Sequence, residues 1–350
     1  MVQKSNLLKS LFLSFLLMLT PIKYQINLQQ NNKYHQLYVL GDSLSDNGSL
    51  VGLANQMLEK VPSFLKNYAG IKEIAFKSPY YNNSFSNGPV AVEVLANKLG
   101  LSLIPTWFNE FKMLFLGWTF EKLGNNYATS GAQVIGTDNY SKFRSFLQTK
   151  ISLTYQTTAL LQQHQLQSKD LIVIIMGGND VLWNTNITDK MLDEIVLTQE
   201  NNINRLINSN AQRIVIGNLP DVSTIPMAKE KVMLSNKKIK IYNEKLKLMI
   251  EKVNCKYYQT VKLYDIYALM KKVTSNFLKQ GKEIYKSCSN LDVDHLFEKV
   301  KLAKGNFEVE FNNYCNINNI DEFLFFDQVH PTKNAHYQLG LELFNLVNWW

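Results

Sequence analysis

Three short runs along the chain stay apolar from end to end. They are QLYVL (Gln36–Leu40), DLIVIIM (Asp170–Met176) and RIVIGN (Arg213–Asn218). A strand with one face in water alternates apolar and polar residues. An unbroken, β-branched run is the pattern of a strand covered on both faces, as in the middle of a parallel sheet. Leu101–Ile104 and Val261–Ile266 are weaker runs of the same kind. Between these runs the apolar spacing becomes helical, at Pro89–Leu99, Thr149–Gln165, Thr188–Ser209, Ser235–Val253 and Asn334–Asn348. Pro89 follows Asn87-Gly88, where a first helical turn tolerates proline. Strands alternating with helices predict an α/β protein, a three-layer α/β/α sandwich on a doubly wound parallel sheet.

The first thirty residues follow a different pattern. Lys4 and Lys9 precede an apolar run, Leu11–Leu19, and Thr20-Pro21 follows it. A basic start and about ten apolar residues predict a secretory signal peptide over residues 1–30, cut between Thr20 and Lys33. A membrane span needs about 20 apolar residues. An uncleaved anchor or a buried helix is the alternative reading. Residues 34–350 then read as a single domain, with an insert near 280–320.

Composition narrows the class. The 350 residues are 46% hydrophobic and 19% charged, enough for one large core and too apolar for global disorder. The formal charge of +8 favours anionic surfaces. The lysines are scattered, however, and Lys229–Lys252 interleaves Lys and Glu at helical spacing, which predicts a solvated helix face. No nucleic-acid-binding motif accompanies them, so no nucleic-acid partner is expected. The sequence leaves the oligomeric state open.

There are three cysteines. In an exported chain that count suggests one pair and one leftover. Cys288 and Cys315 flank a polar stretch just ahead of the C-terminal motif and are predicted to pair, restraining that loop by about 2–4 kcal/mol. Cys255 falls on a helical pattern and is predicted to be a buried thiol. Neither count nor spacing suits a zinc site.

In parallel α/β sheets, ligands sit at the carboxyl ends of the strands. Two chemically telling stretches follow strands at that edge. Gly41-Asp42-Ser43 ends the first run, and Gly177-Gly178-Asn179-Asp180 follows the run ending at Met176. A serine hydroxyl needs a base to become a nucleophile, and the usual base is a histidine oriented by a carboxylate. Of His35, His164, His295, His330 and His336, only His330 stands after an apolar run with an acid three residues before it and a proline directly after. That spacing lets Asp327 fold back onto the imidazole Nδ1 and leaves Nε2 for Ser43. Donors for a developing oxyanion are available from the Ser43 amide, the Asn179 side chain and the backbone of Gly131, where glycine permits close approach. Asp42 and Asp46 read as acids that shape the nucleophile turn.

Taken together these residues resemble the GDSL family of the SGNH hydrolase superfamily. Four blocks match in order: Gly41-Asp42-Ser43-Leu44-Ser45-Asp46-Asn47-Gly48, then Asn126-Tyr127-Ala128 with Gly131-Ala132, then Gly177-x-Asn179-Asp180, then Asp327-x-x-His330-Pro331-Thr332. Phe85–Ala96 also resembles the segment after the first block in secreted members. The resemblance implies a flavodoxin-like sandwich and metal-free, cofactor-free ester hydrolysis. Carried over by motif, Ser43 is the nucleophile, His330 the base and Asp327 its orienting partner. The Ser43 amide, Gly131 and Asn179 form the oxyanion hole.

The chain most resembles secreted bacterial phospholipase/lysophospholipase A-like members, which implies lipid esters as substrates and acyl transfer to an alcohol as a second outcome. Pro105–Phe120 packs many large apolar side chains into one stretch. It reads as an acyl-chain groove, a membrane-contact surface or ordinary core. Two other functions fit the pattern: a carbohydrate O-acetyl esterase of the same family, and a secreted membrane-binding module whose triad is vestigial.

Overall fold

The computed structural model describes residues 33–70, 72–113, 116–135, 148–184, 186–226, 229–291 and 305–350. The predicted signal peptide and His295 lie outside them. In chain order the strands are β1 (Leu37–Gly41), β2 (Ala75–Phe76), β3 (Trp107–Met113), β4 (Leu116–Lys122), β5 (Leu171–Ile175), β6 (Ile214–Gly217), β7 (Val261–Tyr264), β8 (Glu283–Ser287), β9 (Asn306–Phe307) and β10 (Phe323–Phe325). The helices are α1 (Ser49–Glu59), α2 (Ser63–Ala69), α3 (Ala91–Leu99), α4 (Leu153–Gln163), α5 (Gly178–Leu182), α6 (Asp189–Asn208), α7 (Lys229–Tyr257), α8 (Ile266–Lys279) and α9 (Lys333–Asn348).

The three continuous apolar runs become the parallel strands β1, β5 and β6, and β7 completes the sheet in the order β1-β5-β6-β7. Every residue of β1, β5 and β6 is buried, as strands covered on both faces require. Helices α3, α9 and α8 pack in one layer, and α4, α6 and α7 in the other. One hydrophobic core runs through both interfaces. The chain is thus an α/β protein with a parallel central sheet, the fold class the alternating pattern predicts. Tyr34–Trp350 forms one compact unit.

Two expectations fail, each for a local reason. Leu101–Ile104 is extended but pairs with no strand. Its polar groups go to Asn125 instead: the Ile104 amide donates to Asn125 Oδ1 (2.7 Å), and the Asn125 and Asn126 amides donate to the Ile104 carbonyl. Cys255 is exposed, because it falls on the outer face of α7. Of the three readings for Pro105–Phe120, ordinary core is the one its described residues follow: the stretch is mostly an antiparallel hairpin, β3 with β4. Its alternate residues Trp107 and Phe120 are buried against Leu53 of α1 in a small separate core.

Candidate active site

The strand β1 ends at Gly41, where a side chain would collide with the carbonyl of Ile175, at 2.8 Å from a Cβ. Gly41 is held from the opposite edge by Gln156 of α4. Its amide donates to Gln156 Oε1 (2.8 Å), and Gln156 Nε2 donates to its carbonyl (2.9 Å). The chain then turns. The Asp42 carboxylate accepts from the Leu44 amide (3.1 Å), and the amides of Ser45 and Asp46 fold back on the Asp42 carbonyl. Asp46 caps α1 by accepting from the amides of Gly48 (2.8 Å) and Ser49 (2.7 Å). This turn presents Ser43, half-buried, at the carboxyl edge of the sheet.

His330 arrives from the other end of the sequence. The Asp327–His330 loop is closed on itself. The amides of Val329 (3.0 Å) and His330 (2.8 Å) both donate to Asp327 Oδ1, and the Phe326 amide donates to the His330 carbonyl (2.8 Å). His330 Nδ1 lies 2.7 Å and 2.9 Å from the two Asp327 oxygens, so it carries the proton and donates. Nε2 then accepts from the Ser43 hydroxyl at 2.7 Å. Asp327 is fully buried, and Phe85 stacks on the imidazole, with centroids 5.0 Å apart and planes inclined by 17°. The sequence thus places Ser43, His330 and Asp327 in one hydrogen-bonded line across 287 positions.

The three expected anion donors face the same place. Asn179 stands in the first turn of α5. Its Oδ1 accepts from the Trp183 indole (2.9 Å), and its Nδ2 donates to the Ala132 carbonyl (2.9 Å), leaving one N–H over. Gly131 has φ +80°, a conformation that favours glycine, and it is exposed. Among the described residues the amides of Ser43 and Gly131 have no protein acceptor. Ser43, Gly131, Asn179 and His330 all line one cavity of about 400 Å³. On the α1 side its walls are Leu50, Leu53 and Met57, and on the β6–β7 side Val222, Ile225 and Met270. No described residue of Pro105–Phe120 lines it.

Burial raises the carboxyl pKa values beneath this cavity. Asp42 is pushed up to about 6 and Asp180 to about 7, each chiefly by loss of water and only partly offset by amide donors. Asp46 is raised too, for the same reason. His336 is buried on α9, lowered to about 3, and accepts from the Ala91 amide (3.3 Å). It is a neutral structural imidazole.

Four residues that hold the site carry no role in the sequence reading: Gln156, Phe85, Asn126 and Asp180. Asn126 Nδ2 donates to the Ser45 carbonyl (2.8 Å) and to Asn47 Oδ1 (2.7 Å). Asn126 and Asp180 belong to the quoted blocks, so their motif was a signal. Phe85 opens the Phe85–Ala96 segment whose resemblance is noted above, whereas Gln156 carries no signal beyond being a polar residue on a helix.

Comparison with known proteins agrees with this geometry. The model of the GDSL-like Lipase/Acylhydrolase family matches residues 37–343. A phosphatidylcholine-sterol acyltransferase of Aeromonas hydrophila is 27% identical over 201 residues, 57% of this chain and 48% of that protein. A GDSL esterase/lipase of Arabidopsis thaliana is 22% identical over 360 residues, 94% of each. Lipase 1 of Photorhabdus luminescens is 25% identical over 205 residues, 57% of this chain and 24% of that protein. The matched region therefore spans about half of the Aeromonas protein and about a quarter of the Photorhabdus one. With ordered motif blocks, a parallel α/β sheet and a family match over nearly all the described fold, the chain belongs to the GDSL-like lipase/acylhydrolase family.

Proposed function

We propose that this protein is an exported lipolytic acyl-ester hydrolase, of phospholipase A or lysophospholipase A type, that can also pass its acyl group to an alcohol. The observation that carries the reading is the Ser43–His330–Asp327 line, 2.7 Å at each link, opening into an apolar-walled cavity. Ser43 Oγ attacks the ester carbonyl while His330 Nε2 takes its proton. The Asp327 carboxylate stabilises the imidazolium. The amides of Ser43 and Gly131 and the free N–H of Asn179 bind the oxyanion. Collapse expels the alkoxide, which takes the proton from His330. Water then enters, gives its proton to His330 and splits the acyl-serine, and the proton returns to Ser43. An acceptor alcohol in place of that water makes the same cycle an acyl transfer.

The wall residues favour long acyl chains, since apolar surface is what such a chain needs to leave water. A carbohydrate O-acetyl esterase would need polar walls for its sugar. Acyl transfer is supported by the printed name of the Aeromonas relative. Export is supported by the N-terminal sequence pattern and by the Cys288–Cys315 disulfide, a bond that persists in oxidising compartments. Contact with an anionic lipid surface is supported by α2, where Phe64, Leu65 and Tyr68 are exposed by 70%, 45% and 94%. Lys60, Lys66 and Lys72 flank them, and α2 follows the helix that lines the cavity.

The test is a lipid-panel assay with product masses, run on the wild type and on Ser43→Ala. Wild type should release fatty acid from phospholipid or lysophospholipid, and form steryl ester when cholesterol is present. Ser43→Ala should lose about 10⁴-fold or more. Equal turnover by the variant, or activity on acetylated sugars alone, would remove this reading. Phe64→Ser/Tyr68→Ser should pellet less with anionic vesicles yet hydrolyse p-nitrophenyl butyrate normally; unchanged pelleting would remove the surface contact.

A further inference from the structure

The three groups assigned to the oxyanion come from three separate segments. Ser43 follows β1, Gly131 sits on the segment beside β1, and Asn179 sits on α5 after β5. An anion-binding site of this kind works only if its donors are spaced before the charge develops. Something must therefore fix the Gly131 segment relative to the other two.

Two buried carboxylates occupy that role by geometry. Asp46, on the nucleophile turn, caps α1 mainly through Oδ1. Its Oδ2 accepts from the Ser130 amide (2.8 Å) and the Ser130 hydroxyl (2.7 Å), with a longer contact from the Leu50 amide at 3.3 Å. Asp180, next to Asn179, accepts from the amides of Val134 (2.9 Å) and Ile135 (3.1 Å). The Ser130–Ile135 loop is thus gripped at one end from the Ser43 side and at the other from the Asn179 side. Two lighter bonds cross the middle: Asn179 Nδ2 to the Ala132 carbonyl (2.9 Å) and Gln133 Nε2 to the Asn179 carbonyl (3.1 Å). Asp46 is 0% and Asp180 1% exposed, and all these bonds are to neutral donors. Burying a carboxylate with no cation is costly unless its lone pairs are filled by directed donors, so the arrangement is specific to this loop. Asp180 lies in the first turn of α5, where a carboxylate commonly caps its own helix. Here it reaches across to the loop instead.

We infer that Asp46 and Asp180 are positioning residues that set the separation of the three oxyanion donors, acting through the Ser130–Ile135 loop. The inference rests on the oxyanion assignment above. Neither carboxylate touches substrate. Each turns two loose segments into one rigid frame, so its effect falls on the transition state, where the negative charge appears, and not on ground-state binding.

The experiment is Asp180→Asn in the full chain, with p-nitrophenyl butyrate as substrate. An amide has one acceptor atom for two amide donors, so the loop must shift. Active sites are counted by endpoint labelling with a fluorophosphonate, and a boronic acid serves as a tetrahedral mimic. The expected result is kcat per labelled site lower by about tenfold to a hundredfold, KM within about twofold, and boronate affinity weaker by the same factor as kcat. A purely structural role would lower the number of labelled sites and leave kcat per site intact, which would overturn the inference. A raised KM at unchanged kcat would overturn it equally. If Asp180→Asn does not fold, Ser130→Ala removes only the hydroxyl leg to Asp46. It should lower kcat per site by about threefold or more with the same KM split, and no change would overturn it. Turnover surviving in Ser43→Ala would instead defeat the hydrolase reading itself, so the two failures are distinguishable.

Discussion

Ser43, Gly131 and Asn179 sit at the rim of the parallel sheet, while His330 and Asp327 sit on a loop outside that sheet, and the two regions are held by different forces. At the rim the supports are hydrogen bonds from buried polar side chains, Gln156, Asn126, Asp46 and Asp180, to backbone groups. Behind the His330 loop the supports are aromatic. Phe85 stacks on the imidazole, Phe76 and Tyr80 back Phe85, and Tyr80 meets Phe326 edge-on with centroids 5.1 Å apart. The Cys288–Cys315 disulfide belongs to the same small cluster, its Cα atoms 5.2 Å apart. The amides of Cys288 and Ser289 donate to the carbonyls of Phe325 and Phe326, directly ahead of Asp327. Directional bonds tie the rim segments together, and aromatic packing lies against the His330 ring.

The sharpest way to separate the regions is Asp327→Asn. It leaves the rim untouched and presents the wrong partner to Nδ1, so kcat should fall about 10⁴-fold with circular dichroism and Tm little changed. A loss of less than tenfold would mean that the loop does not orient the base.

Next in size is Cys288→Ser/Cys315→Ser. The disulfide closes a sequence separation of 27, so unfolding should become easier by about 2–4 kcal/mol. Because the Asp327–His330 bonds are internal to their loop, kcat at a temperature where the protein is folded should fall by less than about tenfold. Urea titration and steady-state rates measure the two effects, and a rim-like collapse of kcat at full folding would break the distinction.

The smallest effect is one of pH. The Asp180 and Asp42 carboxyls are raised to about 7 and about 6 in the folded chain, against 3.8 ordinarily. The folded state therefore binds more protons than the unfolded one between about pH 4 and 7. These acids cost stability when ionised, and the cost is relieved as pH falls. Wild type should gain Tm relative to Asp180→Asn between pH 8 and pH 5. Thermal melts at matched pH check the slope, and a Tm difference that does not move with pH would refute the coupling.

The chain by itself determined the layer order and the chemistry. Buried strands must be apolar throughout, so β1, β5 and β6 are legible wherever the sequence runs without a polar break. Ser43 and Asn179 are legible because each follows such a run at the strand edge where ligands bind, and Asp327 and His330 because an acid precedes a histidine by three residues after the apolar run Phe323–Phe326. The hairpin β3–β4 was hidden because its dense aromatic residues mask the alternation of a strand pair. Only the tertiary structure decided how the rim is held. Gln156 meets Gly41 across 115 positions, Asp46 meets Ser130 across 84, and Phe85 lies on His330. A hydrogen bond or a ring stack between distant residues leaves no period in the sequence. Its partners are chosen by which strand ends the sheet brings together, and that choice is made by the packing of the whole core.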